Sequence, residues 1–173
     1  MAADKKALQE QQVTYVGLTG LFWLIFAIFN LLNHRKLSKF EVRPLDFALL
    51  GLSVFRLGRL VAYDIVTSPY RAPFAKTVSD ATGAGDSVEP KGRGWRRAIG
   101  ELISCPICAG TWIGAALVYA LQIAPGPARL FITIMGAIGL GEVLNAITEA
   151  LTWNAQTARE QAGQYARNRS KQG

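Results

Sequence analysis

A chain of 173 residues that is half hydrophobic, with a mean hydropathy of +0.19 and a formal charge of +7, departs from the balance of a soluble domain of its size. Its basic residues flank apolar runs and do not interleave with aromatics, a pattern that suits anionic lipid headgroups and excludes nucleic acid as a partner. No cleavable leader is expected, because the first apolar run follows an acidic and polar start and is too long for a signal core.

Residues 1–12 read as a polar N-terminal tail. Residues 13–32 then hold about twenty positions without a charge, enough to cross a hydrocarbon core, and run into the polar cluster Asn33-His34-Arg35-Lys36. His34 reads as a solvated helix-end residue. Pro44 and Asp46 open the next helix, with Asp46 as the expected N-cap. The segment that follows, 47–71, carries Arg56 and Arg59 in its middle and Asp64 near its end. An Arg at the centre of a spanning helix costs roughly 2.5–3.5 kcal/mol, while each Leu, Ile, Phe or Val returns about 0.3–0.6, so two arginines cancel about ten apolar residues. At about 100° per residue, Ser53, Arg56, Arg59, Tyr63 and Asp64 fall within an arc of about 140°, and the opposite face is Leu, Val, Phe and Ile. One side suits lipid and the other suits protein.

This helix should stop near Ser68-Pro69, since proline cannot donate the helical hydrogen bond and restricts its predecessor. Residues 70–97 concentrate Gly, Ser, Pro, Asp and Lys and read as a mobile linker; Gly83 and Gly85 lack the Gly-Lys-Ser/Thr of a phosphate loop. Arg93, Arg96 and Arg97 with Trp95 suit an interfacial anchor. Residues 101–123 form the third apolar segment, in which Gly110 and Gly114 are spaced for close helix approach. Pro125, Gly126 and Pro127 make a turn, and 128–153 supply a fourth helix with Gly136, Gly139 and Gly141. Residues 154–173 read as a polar, basic tail.

The fourth helix answers the second. Glu142, Asn145 and Glu149 repeat the spacing of Arg56, Arg59 and Tyr63, so each set makes one stripe. The expected fold is therefore an all-α polytopic membrane bundle over 13–153, with four transmembrane helices and the polar stripes facing inward. Arg56, Arg59, Tyr63, Asp64, Glu142, Asn145 and Glu149 would form the interior network, since a paired charge in lipid is far less costly than an isolated one. The alternative is three spans with the Arg-bearing segment lying at the interface. In the four-span arrangement Lys5, Lys6, the linker and the C-terminal tail share the more basic side, which places both termini in the cytoplasm of a multi-pass inner-membrane protein.

Cys105-Pro106-Ile107-Cys108 places two thiols at the start of the third apolar helix, where the dipole and free N–H groups favour a thiolate. Three readings stand for it: a structural pair, a dithiol/disulfide redox site, or a metal knuckle completed by a second chain, because one chain lacks four ligands.

Phe55-Arg56-Leu57-Gly58-Arg59-Leu60, Asp64, Pro69-Tyr70-Arg71, Glu101-Leu102 and Cys105-Pro106-Ile107-Cys108-Ala109-Gly110-Thr111-Trp112, taken in this order, resemble a family of small bacterial membrane proteins, the domain of unknown function numbered 1360. That family includes a sporulation-associated protein. The resemblance spans 44–151, leaving the first helix and the glycine-rich linker as additions. It implies a bacterial membrane protein without an assigned activity and transfers no catalytic residue. With no serine, histidine and carboxylate set, no nucleotide loop and no paired metal-binding acids, the expected role is a non-enzymatic assembly or accessory component with no cofactor. Its expected partners are the lipid bilayer and a second copy or larger membrane complex. Two alternatives stay open: a membrane thiol oxidoreductase using Cys105 and Cys108, and an ion or small-solute pathway along Arg56, Arg59, Asp64, Glu142 and Glu149.

Overall fold

The computed structural model describes the backbone of residues 2–37, 41–79 and 86–170, and the side chains of 12–34, 41–78 and 87–161. The elements run α1 (Ala2–Leu37), α2 (Pro44–Tyr63), a 3-10 turn (Ile65–Thr67), the one-turn helix α3 (Ser68–Arg71), strands β1 (Ala75–Ser79) and β2 (Asp86–Pro90), then α4 (Gly94–Ser104), α5 (Pro106–Ile123) and α6 (Pro125–Ser170).

Among the described residues three stretches are long and apolar enough to cross a membrane: Gln12–His34, Pro106–Ile123 and Pro125–Gln161. The expectation of four such spans is not supported. α2 has the length, but Asp46, Arg56 and Arg59 give it too much charge to qualify on composition.

Local chemistry explains where the helices differ from expectation. Pro44 opens α2 at its first turn after an extended Arg43, so Asp46 is not the N-cap. α2 ends at Tyr63, five residues before the proline break, because Asp64 is extended (φ −65°, ψ 142°). Pro106 divides what reads as one apolar segment: it holds Cys105 extended, so 101–104 close α4 and α5 starts afresh. Pro125 and Pro127 do not form a separate turn but sit in the first turn of α6, where a missing N–H costs nothing. That helix has 46 residues and a length of about 69 Å.

Residues 70–97 are more regular than a linker. β1 and β2 pair antiparallel, Ala75 opposite Pro90 and Ser79 opposite Asp86, with an ion pair of 2.8 Å between Lys76 Nζ and Glu89 Oε2. Gly92 and Gly94 both take positive φ, 82° and 56°, and turn the chain so that α4 packs back on β2. The backbone N–H of Lys91 and the Arg96 side chain donate to Phe74 O and Pro73 O. Gly83 and Gly85 lie outside the described residues.

The centre of the fold is α2, packed along both α5 and α6. Leu117, Leu121, Ala128 and Ile132 form the buried cluster, with Leu49, Val54 and Leu57 of α2 against it. Contacts set the directions. Val54 meets Gly110 and Gly114, and Gly58 meets Pro106, so α2 and α5 are antiparallel; Leu49 meets Gly136 and Leu52 meets Gly139, so α2 and α6 are parallel. α1 runs parallel to α5, with Phe22 edge-on to Trp112 at 5.3 Å and Phe29 stacked on Tyr119 at 4.0 Å. Ser53, fully buried, lies 2.7 Å from Leu49 O and 2.8 Å from Ile132 O, so its single proton is shared between its own helix and α6.

A Cβ on Gly139 would overlap Leu52 O, and backbone cannot yield as a side-chain end can, whereas one on Gly141 would meet nothing. Gly139→Leu is expected to lower stability by at least the ~1–3 kcal/mol of overpacking, and Gly141→Leu to leave it near wild type, as read by thermal unfolding in detergent.

Candidate functional site

The ionic cluster sits where the second half of α2 faces α6. Arg56 makes a two-pronged contact with Asp64, Nη2–Oδ2 at 2.5 Å and Nη1–Oδ1 at 3.3 Å, and its Nη1 is 3.8 Å from Glu142 Oε2. Arg59 Nε donates to Glu142 Oε1 at 2.5 Å, and its guanidinium lies over the rings of Phe55 and Tyr63, 5.7 and 5.8 Å from their centroids. The four charged groups are unequal: Arg56 is 19% exposed and Arg59 is 45%. The inner arginine has two carboxylates; the outer one has a carboxylate and two aromatic faces.

Arg71 sits 5% exposed at the end of α2, and none of the ion pairs among the described residues includes it. Its Nη1 donates to Asp64 O at 2.9 Å and to Thr67 Oγ1 at 3.0 Å, and the two terminal nitrogens lie 3.3 Å from Val61 O and Tyr63 O. Thr67 Oγ1 stands 2.6 Å from Leu60 O. Together they take up carbonyls that the last turn of a helix leaves without partners, and the cation lies at the negative end of the helix dipole. Asp64 thus has two duties: its carboxylate serves Arg56 and its carbonyl serves Arg71.

A second ionic site closes the other end of α2. Asp46 accepts from Arg43, at 3.0 and 3.1 Å, and from Arg129 of α6 at 3.3 Å. Asp46–Arg129 and Arg59–Glu142 each join residues 83 positions apart, but with the signs exchanged between the helices. The sequence pattern does not single out Arg129, and it marks Arg71 only as part of the Pro69-Tyr70-Arg71 resemblance, with no role. For Arg129 a signal existed, because it precedes Glu142 by the same interval at which Asp46 precedes Arg59; for the capping role of Arg71 none did, since its partners are mostly backbone carbonyls.

Asn145 and Glu149 are exposed on α6, and none of the described hydrogen bonds or ion pairs joins them to Tyr63. In the register set by Arg59 and Glu142, Glu149 falls beyond the end of α2 at Tyr63, whereas Asn145 lies level with Ala62 and is exposed. Gly110, Gly114, Gly136 and Gly139 abut α2, and Gly141 points into open space. His34 is exposed, its Nδ1 3.1 Å from Leu31 O.

The thiols occupy a different place. Cys105 is the N-cap of α5, its Sγ accepting the Cys108 N–H at 3.3 Å, and both cysteines are free, with Sγ atoms 2.7 Å apart. The Cys108 thiol hydrogen bond, aided by backbone N–H groups of Cys108 and Ile107 and opposed by burial, holds the Cys105 pKa below its usual value. Both cysteines line an apolar groove of about 530 Å³ between α1, α4 and α5, walled by Tyr15, Phe22 and Trp112. Among the described residues no group of three or more His, Cys, Asp and Glu could hold a metal.

Three apolar helices of membrane-crossing length, a charged helix clasped between two of them and a thiol pair beside an apolar groove define a small helical bundle with ion pairs along one helix seam. The chain belongs to DUF1360, described as a protein family of unknown function, which matches residues 49–148. It is 34% identical over 109 residues to the sporulation protein YjcA of Bacillus subtilis (strain 168), a match covering 61% of this chain and 92% of that one. No solved structure matches. The family region holds α2 from Leu49, the thiol pair and α6 as far as Thr148; α1 lies outside it.

Two outcomes follow from the cluster. A double-mutant cycle on Arg59→Gln and Glu142→Gln should give a favourable coupling of about 0.5–1.5 kcal/mol in thermal unfolding, because the pair is in contact and partly exposed. Arg71→Lys keeps the charge but loses the planar fork, and should cost at least the ~1.5 kcal/mol of one charge-assisted hydrogen bond.

Proposed function

We propose that this chain is a multi-pass bacterial inner-membrane protein with a structural or accessory role, whose ionic interior serves packing and carries no solute. The observation that supports this most directly is the pairing of the cluster's charges with groups of the same chain, which leaves Arg71 Nε and Glu142 Oε2 without a hydrogen bond, the latter 3.8 Å from Arg56 Nη1. Arg56, Arg59 and Arg71 are taken up by Asp64, Glu142 and the carbonyls ending α2, all from the same chain. A pathway needs polar groups that face a cavity and exchange partners. Here Arg59 alone of these borders a described groove, and that groove is otherwise walled mainly by apolar residues such as Val54, Phe55 and Ile107. A relative named as a sporulation protein supports an accessory role over a metabolic one.

The same contacts support an orientation. The N-terminal part of α1, the hairpin, α4 and the later part of α6 gather at the Cys105 end of the bundle, together with Arg71, Lys76, Lys91, Arg93, Arg96 and Arg97. This basic end faces the cytoplasm, and because α2, too charged to be an apolar span, runs antiparallel to α5 and carries the chain back through the bundle, α1, α2, α5 and α6 bring both ends to that side. Reporter fusions at the two ends should both give the cytoplasmic signal, and ends on opposite faces would overturn the orientation. Purified chain in vesicles should leave proton and monovalent-ion permeability at the empty-vesicle value. A flux that Glu142→Gln abolishes while the unfolding transition is retained would replace this reading with a conducting one.

A further inference from the structure

The thiol pair is not used by the ionic clasp, and its surroundings are of another kind. Cys105 and Cys108 are the only cysteines in the chain, so electrons released by closing a disulfide between them have no second internal pair to reach. Their Sγ atoms, 2.7 Å apart as free thiols, need only a small movement to reach the roughly 2.05 Å of a disulfide bond. Both line the groove between α1, α4 and α5, whose volume of about 530 Å³ is that of a pocket for a ring-sized ligand with part of a tail.

The walls select the ligand. Tyr15 and Phe22 of α1 and Trp112 of α5 present flat aromatic surface, Leu18 and Leu102 add aliphatic surface, and Thr19 supplies a hydroxyl for a carbonyl oxygen. α1 and α5 are two of the three stretches long and apolar enough to cross a membrane, so on the proposed membrane location the groove between them would be reached from lipid. Glu101, paired with Arg97, also lines the groove; its carboxylate disfavours an anionic oxidant, and the apolar walls disfavour a strongly hydrated one. Among two-electron acceptors, the class that is flat, apolar, carbonyl-bearing and lipid-soluble is the quinones.

We propose that the groove between α1, α4 and α5 binds the head group of a lipid-soluble quinone, and that the bound quinone oxidises the Cys105–Cys108 pair to a disulfide. In the balanced step the Cys105 thiolate and the Cys108 thiol form one S–S bond and give up two electrons. The quinone takes both electrons, together with the Cys108 proton and one proton from water, and leaves as the hydroquinone. The step is stoichiometric, one quinone per chain, and so goes beyond the accessory role without requiring turnover. The favoured thiolate at Cys105 suits the first attack.

The test uses the full chain in detergent, reduced with a phosphine that is then removed. Decylubiquinone is added without other oxidants, free thiols are counted and hydroquinone is followed by absorbance. The expected result is loss of both thiols with one hydroquinone formed per chain, no hydroquinone from Cys105→Ser or Cys108→Ser, and an intramolecular disulfide by intact mass. Thr19→Trp, which adds bulk at an exposed position on the groove wall, should slow the quinone reaction by about tenfold or more, equivalent to about 1.4 kcal/mol, and leave oxidation by a small water-soluble disulfide unchanged. Thiols that survive the quinone, or a Thr19→Trp variant that retains its unfolding transition and reacts with quinone as fast as wild type, would overturn the proposal.

Discussion

A guanidinium inside an apolar bundle must find a partner, and the arrangement of α2 follows from that requirement. Arg56 and Arg59 cannot be left against hydrocarbon, and α2 bears too many charges to qualify as an apolar span. It lies instead between α5 and α6, close enough to share the buried Ser53 hydroxyl with Ile132 O. Close approach and ion pairing reinforce each other. Gly139 lets the backbones meet, and that proximity brings Arg59 within a hydrogen bond of Glu142. A bulkier residue at the crossing would loosen the pairing as well as the packing.

The exchanged signs of the two cross-helix pairs add directionality. α2 begins with an acid and later carries bases, while α6 begins with a base and later carries an acid. Turning either helix end for end would set Asp46 beside Glu142 and Arg59 beside Arg129, so only the parallel arrangement satisfies all four groups. Apolar packing between helices is nearly blind to direction. The two ionic pairs supply that information at the two ends of one interface.

Much of this was legible in residue pattern because charge in an apolar run is conspicuous. The uncharged run at 13–32, the Arg56/Arg59 stripe and its counterpart at Glu142 are all visible in the sequence. The regular structure of 70–97 was not, because glycine, serine and proline there read as flexibility, whereas Gly92 and Gly94 are used to fold α4 onto the hairpin. The buried role of Arg71 was hidden for another reason: its partners are main-chain carbonyls, which every residue has and no side-chain pattern marks. Asn145 and Glu149 share the Glu142 stripe but are exposed, since a helical period says which residues share a face but not what that face meets.

The separation of the partners along the chain also imposes an order in time. Arg56 meets Asp64 only 8 positions later, whereas Arg59 waits 83 positions for Glu142. At about 5–20 residues per second of synthesis, the first pair is available within about two seconds and the second only after about 4–17 s. On the proposed membrane location, α2 therefore emerges from the ribosome with a carboxylate for Arg56 and only the rings of Phe55 and Tyr63 for Arg59. The carboxylate that pairs Arg59 arrives with α6, so the pairing of α2 is completed by a helix made 83 residues later.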